Sequence, residues 1–462
     1  MIIPLSVVSL FGLACLALLA SPWPYLAPGV VLGLVGVAIL YKRPAWGLLG
    51  IVALVPLEGL FKGSELSAAK LLGASLTVII ALQLVLRQIP AERLRSNLWR
   101  FLRWFLLAYL LSILCSDNLA LSLGHLRELS VGLLLFVITL LVAREMNLDM
   151  FCRLVSLSVA LTCALAMFSS KYQDQGRAAG MLEDPNAFAM LIAFAIPLAL
   201  LQVLKSPSTF QRLGWIACSL LLMAGMTKTE SRSGLVVLLI SLGIGIYHYR
   251  VQLQRLRPRH LGFAMLAVAI LVPTAISVMP PEYVERIKSL SVLKGGVNAH
   301  KDESLGRRAS YILVGGQMIR ENPLLGAGPG TFPMHYSTTG YAKAFSANRK
   351  ASDLFRHAHN TYLEIFSEVG IPGGLLFVAM IAASLYNMLK ARLAWLNRGE
   401  GVQANIVTHL GMGLLSLSLF LMFLSTPNQK YVWIMLALSS VLRLQAERSP
   451  QAQTQTPVEA RT

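Results

Sequence analysis

The sequence predicts an all-α, polytopic integral membrane protein of about 12–14 transmembrane helices, with one long loop that carries short helices of its own. Three observations predict it. Of the 462 residues, 55% are hydrophobic and only 13% are charged, about half the charged share of a soluble protein. The apolar residues come in blocks without an ionisable side chain, such as 130–143 and 261–279, and about 20 such residues cross about 30 Å of hydrocarbon as a helix. A helix satisfies its own backbone in lipid, and the two-residue alternation of a membrane barrel is absent from the sequence.

The blocks place helices near 3–20, 26–41, 45–59, 68–86, 101–116, 130–144, 151–170, 186–204, 213–227, 233–249, 261–279, 362–388, 403–425 and 431–445. The first lacks a basic segment before it and a second apolar block follows at once, so it is expected to be a retained helix rather than a cleaved signal. Cys15, Cys115, Cys152, Cys163 and Cys218 lie in or beside apolar blocks, which argues against a disulfide framework or a zinc site.

Lys and Arg in short loops set the orientation. Alternate connections are rich in them: Lys42 and Arg43, Arg87 to Arg103, Arg144 and Arg153, Lys205 and Arg212, Arg250 to Arg259, and Lys390 to Arg398. The other connections hold fewer, among them Lys62, Lys70, Arg127, Lys171, Arg177, Lys228, Arg232 and Lys430. The rich set is expected in the cytoplasm, with both termini. The formal charge of +18 serves this orientation and gives no ground for a nucleic-acid partner. The division expected is a helical bundle over 1–279, a loop subdomain over 280–360, closing helices of the same domain over 361–445, and a disordered cytoplasmic tail over 446–462. The loop is expected outside, in the periplasm of a Gram-negative cell. It is locally basic, with eleven Lys or Arg against six Asp or Glu. Its stretch 305–320 has helical apolar spacing, followed by Asn322-Pro323 and a turn over Gly326–Gly330. One or two helices are expected there, against the outer membrane face.

Four features fall on that outer side. They are Arg177…Gly180…Asp184-Pro-Asn186; Thr229-Glu-Ser231-Arg232-Ser-Gly234; Arg307-Arg308; and His357-Ala-His359-Asn360, which leads through Glu364 and Glu368 to Gly370. Each has a plain structural explanation. Arginines at helix ends snorkel to headgroups. Asn186, Asn360 or Thr361 serve as helix caps, Ser231 and Ser233 as packing and capping groups, and a loop histidine more often packs than reacts. Together they carry more. Guanidinium groups clustered at an outer face suit a diphosphate, through bidentate charged hydrogen bonds. A histidine among cations is held neutral and is able to accept a proton as a general base. His357 and His359 with Glu364 and Glu368 do not make a recognised zinc spacing, and the glycine turn lacks the Lys-Ser/Thr of a phosphate-binding loop.

Thr229-Glu-Ser-Arg-Ser-Gly234, Asn322-Pro-Leu-Leu-Gly-Ala-Gly-Pro-Gly-Thr-Phe332 and His359-Asn-Thr-Tyr-Leu-Glu-Ile-Phe-Ser-Glu-Val-Gly370 together resemble the O-antigen ligase and O-antigen polymerase superfamily, over roughly residues 172–385. The upstream Arg177 to Asn186 segment is similar to that family too. The resemblance implies a GT-C-like, metal-independent, inverting glycosyltransferase without a cofactor, in the bacterial inner membrane, with its active site facing the periplasm. The implied donor is an undecaprenyl-diphosphate-linked glycan, and the implied acceptor a lipid A-core or another glycan. By position, His359, Arg232 and Arg307 or Arg308 match the family's catalytic residues. Arg177, Asn186, Ser231, Asn360, His357 and Glu368 are the expected substrate-binding residues. A polymerase of O-antigen or exopolysaccharide repeat units shares donor and reaction type. A protein O-oligosaccharyltransferase and a lipid-linked glycan transporter are further alternatives. The transporter is disfavoured because related halves and mid-membrane ionisable residues are not evident.

Overall fold

A computed structural model describes residues 26–61, 68–182, 184–250, 303–345 and 354–447, with Leu16 and Ala20. The expected helices at 3–20 and 261–279, loop residues 280–302, and the tail beyond Glu447 lie outside the described residues. The regular structure of the described chain is helical, apart from a hairpin of two-residue strands, β1 Gln173–Asp174 against β2 Arg177–Ala178. The helices are α1 Leu26–Lys42, α2 Pro44–Leu54, α3 Ala68–Val85, α4 Trp99–Leu114, α5 Leu119–Val142, α6 Leu148–Phe168, α7 Pro185–Lys205, α8 Thr209–Lys228, α9 Arg232–His248, α10 Glu303–Glu321, α11 Phe332–Thr338, α12 Gly340–Ala344, α13 Thr361–Asn397, α14 Gly401–Phe420 and α15 Lys430–Glu447.

Among the described residues six helices are long and apolar enough to cross a membrane, and a seventh crossing arises if the bent pair α1–α2 counts as one span. The remaining bundle helices are shorter or less apolar. The all-α, polytopic expectation is therefore met.

Burial in the bundle reflects the uniformly apolar sequence. α7 is buried along nearly its whole length and packs against α6, α8 and α14. α15 is buried likewise, against α5 and α13. Outward-facing positions stay apolar and open, Val78, Leu114 and Leu204 among them, as a surface bathed in lipid requires. Polar side chains on the helices satisfy one another. Asn97, Asn387, Ser440 and Arg443 form one network, and Asp149 holds Lys205, Arg153 and Gln202 in another.

Several boundaries move for local reasons. The helix expected from 130 begins at Leu119, because Asn118 accepts from the Leu121 N–H and caps it. Arg127 is thus helical rather than in a connection. Asn186 is not the cap of α7. Asp184 is, accepting from the Asn186 and Ala187 N–H groups, with Pro185 at the first helical position. The helix expected over 362–388 runs on to Asn397 and is broken at Gly370. The loop stretch 305–320 is α10, as its spacing predicts, and the described loop holds three helices rather than one or two. Tyr311, Val314, Met318, Phe332, Tyr336 and Ala358 are buried there in a cluster separate from that of the bundle.

Candidate active site

The two ends of the bundle differ in kind. Connections at the N-terminus of α7, between α8 and α9, and before α13 share one end. The Asp149 and Asn97 networks mark the other. All four features singled out in the sequence lie on the first end or in the loop that covers it.

The first two are directly joined. Ser231 caps α9 through the Gly234 N–H, and its hydroxyl donates to Asn186 Oδ1 at 2.8 Å. Arg177 Nε donates to the Thr229 carbonyl at 2.9 Å, which ties the β-hairpin to the end of α8. Arg232 is therefore the first residue of a helix whose cap is bonded to the second residue of α7. Glu230, in the turn before it, has φ +51°, a left-handed backbone that costs a non-glycine residue roughly 1–2 kcal/mol. Such strain persists only where the surroundings impose it.

The same strain recurs at His359, with φ +48°. Each neighbour of His359 is pinned. The Ala358 N–H donates to Glu364 Oε1 at 2.8 Å, and Asn360 caps α13 through the Leu363 N–H. The His359 ring lies 5.9 Å from that of Tyr311 on α10. Burial disfavours its imidazolium most, the Arg308 charge adds to this, and Asp184 and Glu364 oppose it; the net shift is downward. Asp184 and Arg308 thus both act on His359, although they precede it in the chain by 175 and 51 positions. His357 shifts the other way, because its Nδ1 pairs with Glu364 Oε1 at 3.1 Å.

Of the two adjacent arginines, Arg308 is the one whose charge acts on His359, whereas that of Arg307 acts on Tyr311. The spacing in the sequence does not separate them; the rotation of α10 does. Arg356 belongs to none of the four sequence features. It hydrogen-bonds Tyr311, and its position three residues before His359 is the one signal that points to it.

Glu368 turns inward. Its Oε1 accepts from the Phe332 N–H at 3.0 Å, and the residue is 8% exposed. This belongs to a joint between the glycine-rich turn and the break in α13. The Ala327 and Gly328 N–H groups donate to the Ser367 and Glu368 carbonyls at 3.1 and 2.9 Å, and the Ile371 N–H donates to that of Pro323 at 2.8 Å. The approach is possible because both surfaces are glycine. A Cβ on Gly326 would lie 2.3 Å from the Glu368 carbonyl, and one on Gly370 2.3 Å from that of Leu324. The two glycine-bearing motifs are thus one structural clasp, and it sets α10 against the start of α13.

Among the described residues no group of three or more His, Cys, Asp or Glu is arranged to hold a metal ion. Chemically, the site offers a half-buried imidazole biased to its neutral form, with the guanidinium of Arg308 acting on it from α10. No curated protein matches the chain. Residues 216–378 match a family model described as O-antigen ligase; that stretch begins after the Arg177 to Asn186 segment and contains Arg232, Arg308, the clasp and His359, and over it the resemblance drawn from the motifs holds.

Proposed function

We propose that this protein transfers a glycan from an undecaprenyl-diphosphate carrier to a hydroxyl of an envelope acceptor, lipid A-core or a related glycan, at the periplasmic face of the inner membrane. The observation that carries this is the placement of His359, fixed by strained backbone and biased to its neutral form by burial and by Arg308. In the reaction, the acceptor O–H gives its proton to the imidazole as the oxygen attacks the anomeric carbon. The bond from that carbon to the diphosphate oxygen breaks with its electron pair, and Arg232 and Arg308 stabilise the charge gathering there. Attack opposite the leaving group inverts the carbon, and the imidazolium then releases its proton to solvent. The diphosphate is itself a good leaving group, so neither a metal nor a nucleotide is needed. Arg177, Asn186 and Ser231 hold the Arg232 turn. His357, through Glu364, and the Asn360 cap fix the approach to His359, and Glu368 holds the clasp.

The orientation rests on the short-loop charges, most of which lie at the end away from His359. A reporter fused near position 340 is expected to face away from the cytosol. His359→Ala and Arg232→Ala are each expected to abolish transfer while the protein still inserts, read on gels of cell-envelope glycans. Normal product from both variants overturns the proposal. Deletion of the gene identifies the acceptor: loss of capped lipopolysaccharide with intact lipid-linked polymer marks a ligase, and accumulation of single repeat units marks a polymerase.

A further inference from the structure

At the end of the bundle opposite His359, α9, α13 and α14 leave a cleft of about 570 Å³. Ile244, Leu385, Leu389 and Leu415 give it an apolar wall, and Arg250 and Arg392 stand towards the helix ends. Leu389 is 58% and Tyr247 66% exposed, so the cleft opens sideways, where a membrane helix meets acyl chains. Among the described residues, neither Asp nor Glu lines it. Arg250 lies over the Tyr247 ring at 4.0 Å and donates to the Tyr247 carbonyl at 2.9 Å, which holds its guanidinium at the rim. Arg392 is half-buried, and among the described residues its Nε, itself buried, meets no hydrogen-bond acceptor. A buried charged donor without an acceptor is rare and demands explanation.

We propose that this cleft holds one bilayer phospholipid with an anionic headgroup, its phosphate between Arg392 and Arg250 and an acyl chain along the apolar wall. The chemistry is that of basic pockets between membrane helices, where guanidinium groups take a phosphate in charge-assisted hydrogen bonds. A carrier-linked glycan is the poorer occupant, because the cleft is at the far end of the bundle from the arginine-histidine cluster and has room for a headgroup and part of one chain only. The lipid fills the space between α9 and the α13–α14 pair, and α9 bears Arg232 at its other end. The proposal stands independently of the transfer reaction.

The test uses the purified full-length chain, stripped of lipid, incubated with equimolar phosphatidylglycerol and phosphatidylcholine and read by native mass spectrometry. Retention of phosphatidylglycerol is expected to exceed that of phosphatidylcholine by about tenfold: both lipids present the phosphate, but the choline ammonium brings a further cation beside Arg250 and Arg392, whereas the glycerol headgroup does not. Arg250→Gln/Arg392→Gln is expected to erase the preference. Leu389→Trp, which obstructs the apolar wall and leaves both arginines in place, is expected to lower phosphatidylglycerol retention. Melting curves without lipid identify any variant that fails to fold, and the wild-type preference alone then decides. Equal retention of both lipids by the wild type, undiminished preference in a folded double variant, or one-for-one displacement of phosphatidylglycerol by undecaprenyl diphosphate overturns the proposal.

Discussion

Replacing Gly370 with Ala puts the clasp to the test. The residue has φ +78° and ψ 174°, a region that only glycine enters readily. A Cβ there would lie 2.3 Å from the Leu324 carbonyl oxygen and 2.5 Å from its carbon. Both are backbone atoms, so no side chain can swing aside. The conformation alone costs an alanine roughly 1–3 kcal/mol. Relieving the clash parts the two surfaces and exposes three backbone hydrogen bonds, the 2.8, 2.9 and 3.1 Å contacts described above, each worth about 0.5–1.5 kcal/mol. The penalty is then about 2.5–7.5 kcal/mol, comparable with the roughly 5–15 kcal/mol that holds a folded domain together. Being local, it is expected to open the clasp and leave the bundle folded. α10 then shifts relative to His359 and carries Arg308 away from it. Transfer from a lipid-linked donor by purified protein is expected to fall by roughly a hundredfold, the cost of about an ångström of misplacement. Membrane insertion should be unchanged, and trypsin cleavage after Arg320 and Lys343 faster. Wild-type transfer together with wild-type cleavage would refute the clasp.

Other substitutions address separate parts of the site. Arg308→Gln removes a cation that disfavours the His359 imidazolium, so the acidic limb of kcat/KM should move to higher pH. Asp184→Asn removes an anion that favours the imidazolium while keeping a capping oxygen, so the limb should move to lower pH; shifts in the same direction, or none, contradict the electrostatics. Ser231→Ala deletes both the cap of α9 and the bond to Asn186, a loss of about 1–2 kcal/mol expected as a lower melting temperature. Transfer should persist in excess chelator, and loss that returns with added divalent metal would favour metal catalysis instead.

Much of the fold is legible because membrane helices write themselves as long apolar blocks. α7 and α6 are cases where block and helix nearly coincide. α5 is not: Ser122, His125, Arg127 and Glu128 fill its first turns, so hydropathy sees only its second half, whereas the Asn118 cap fixes its true start. Gly370 shows a different limit. Its sequence neighbours are uniformly helix-compatible up to Pro372, and the break exists because a distant turn packs there. The candidate site was legible as a set of residue types on one side, cations and a histidine. Its wiring was not. The choice between Arg308 and Arg307 depends on the rotation of α10, and Arg356 and Tyr311 matter through a contact across 45 positions of chain. The inward turn of Glu368 likewise follows from tertiary packing and left no local signal.

The imidazole of His359 is positioned from outside itself. Glu364 grips the amide before it, and the Asn360 cap grips the turn after it, so its placement is inherited from the main chain. A protein stripped of that ring should therefore keep its architecture, with the cationic groups still in place and, on the proposed mechanism, no base to start the reaction. His359→Ala in particular becomes a tool as well as a control: an inert receptor in which an intact donor ought to accumulate long enough to be imaged.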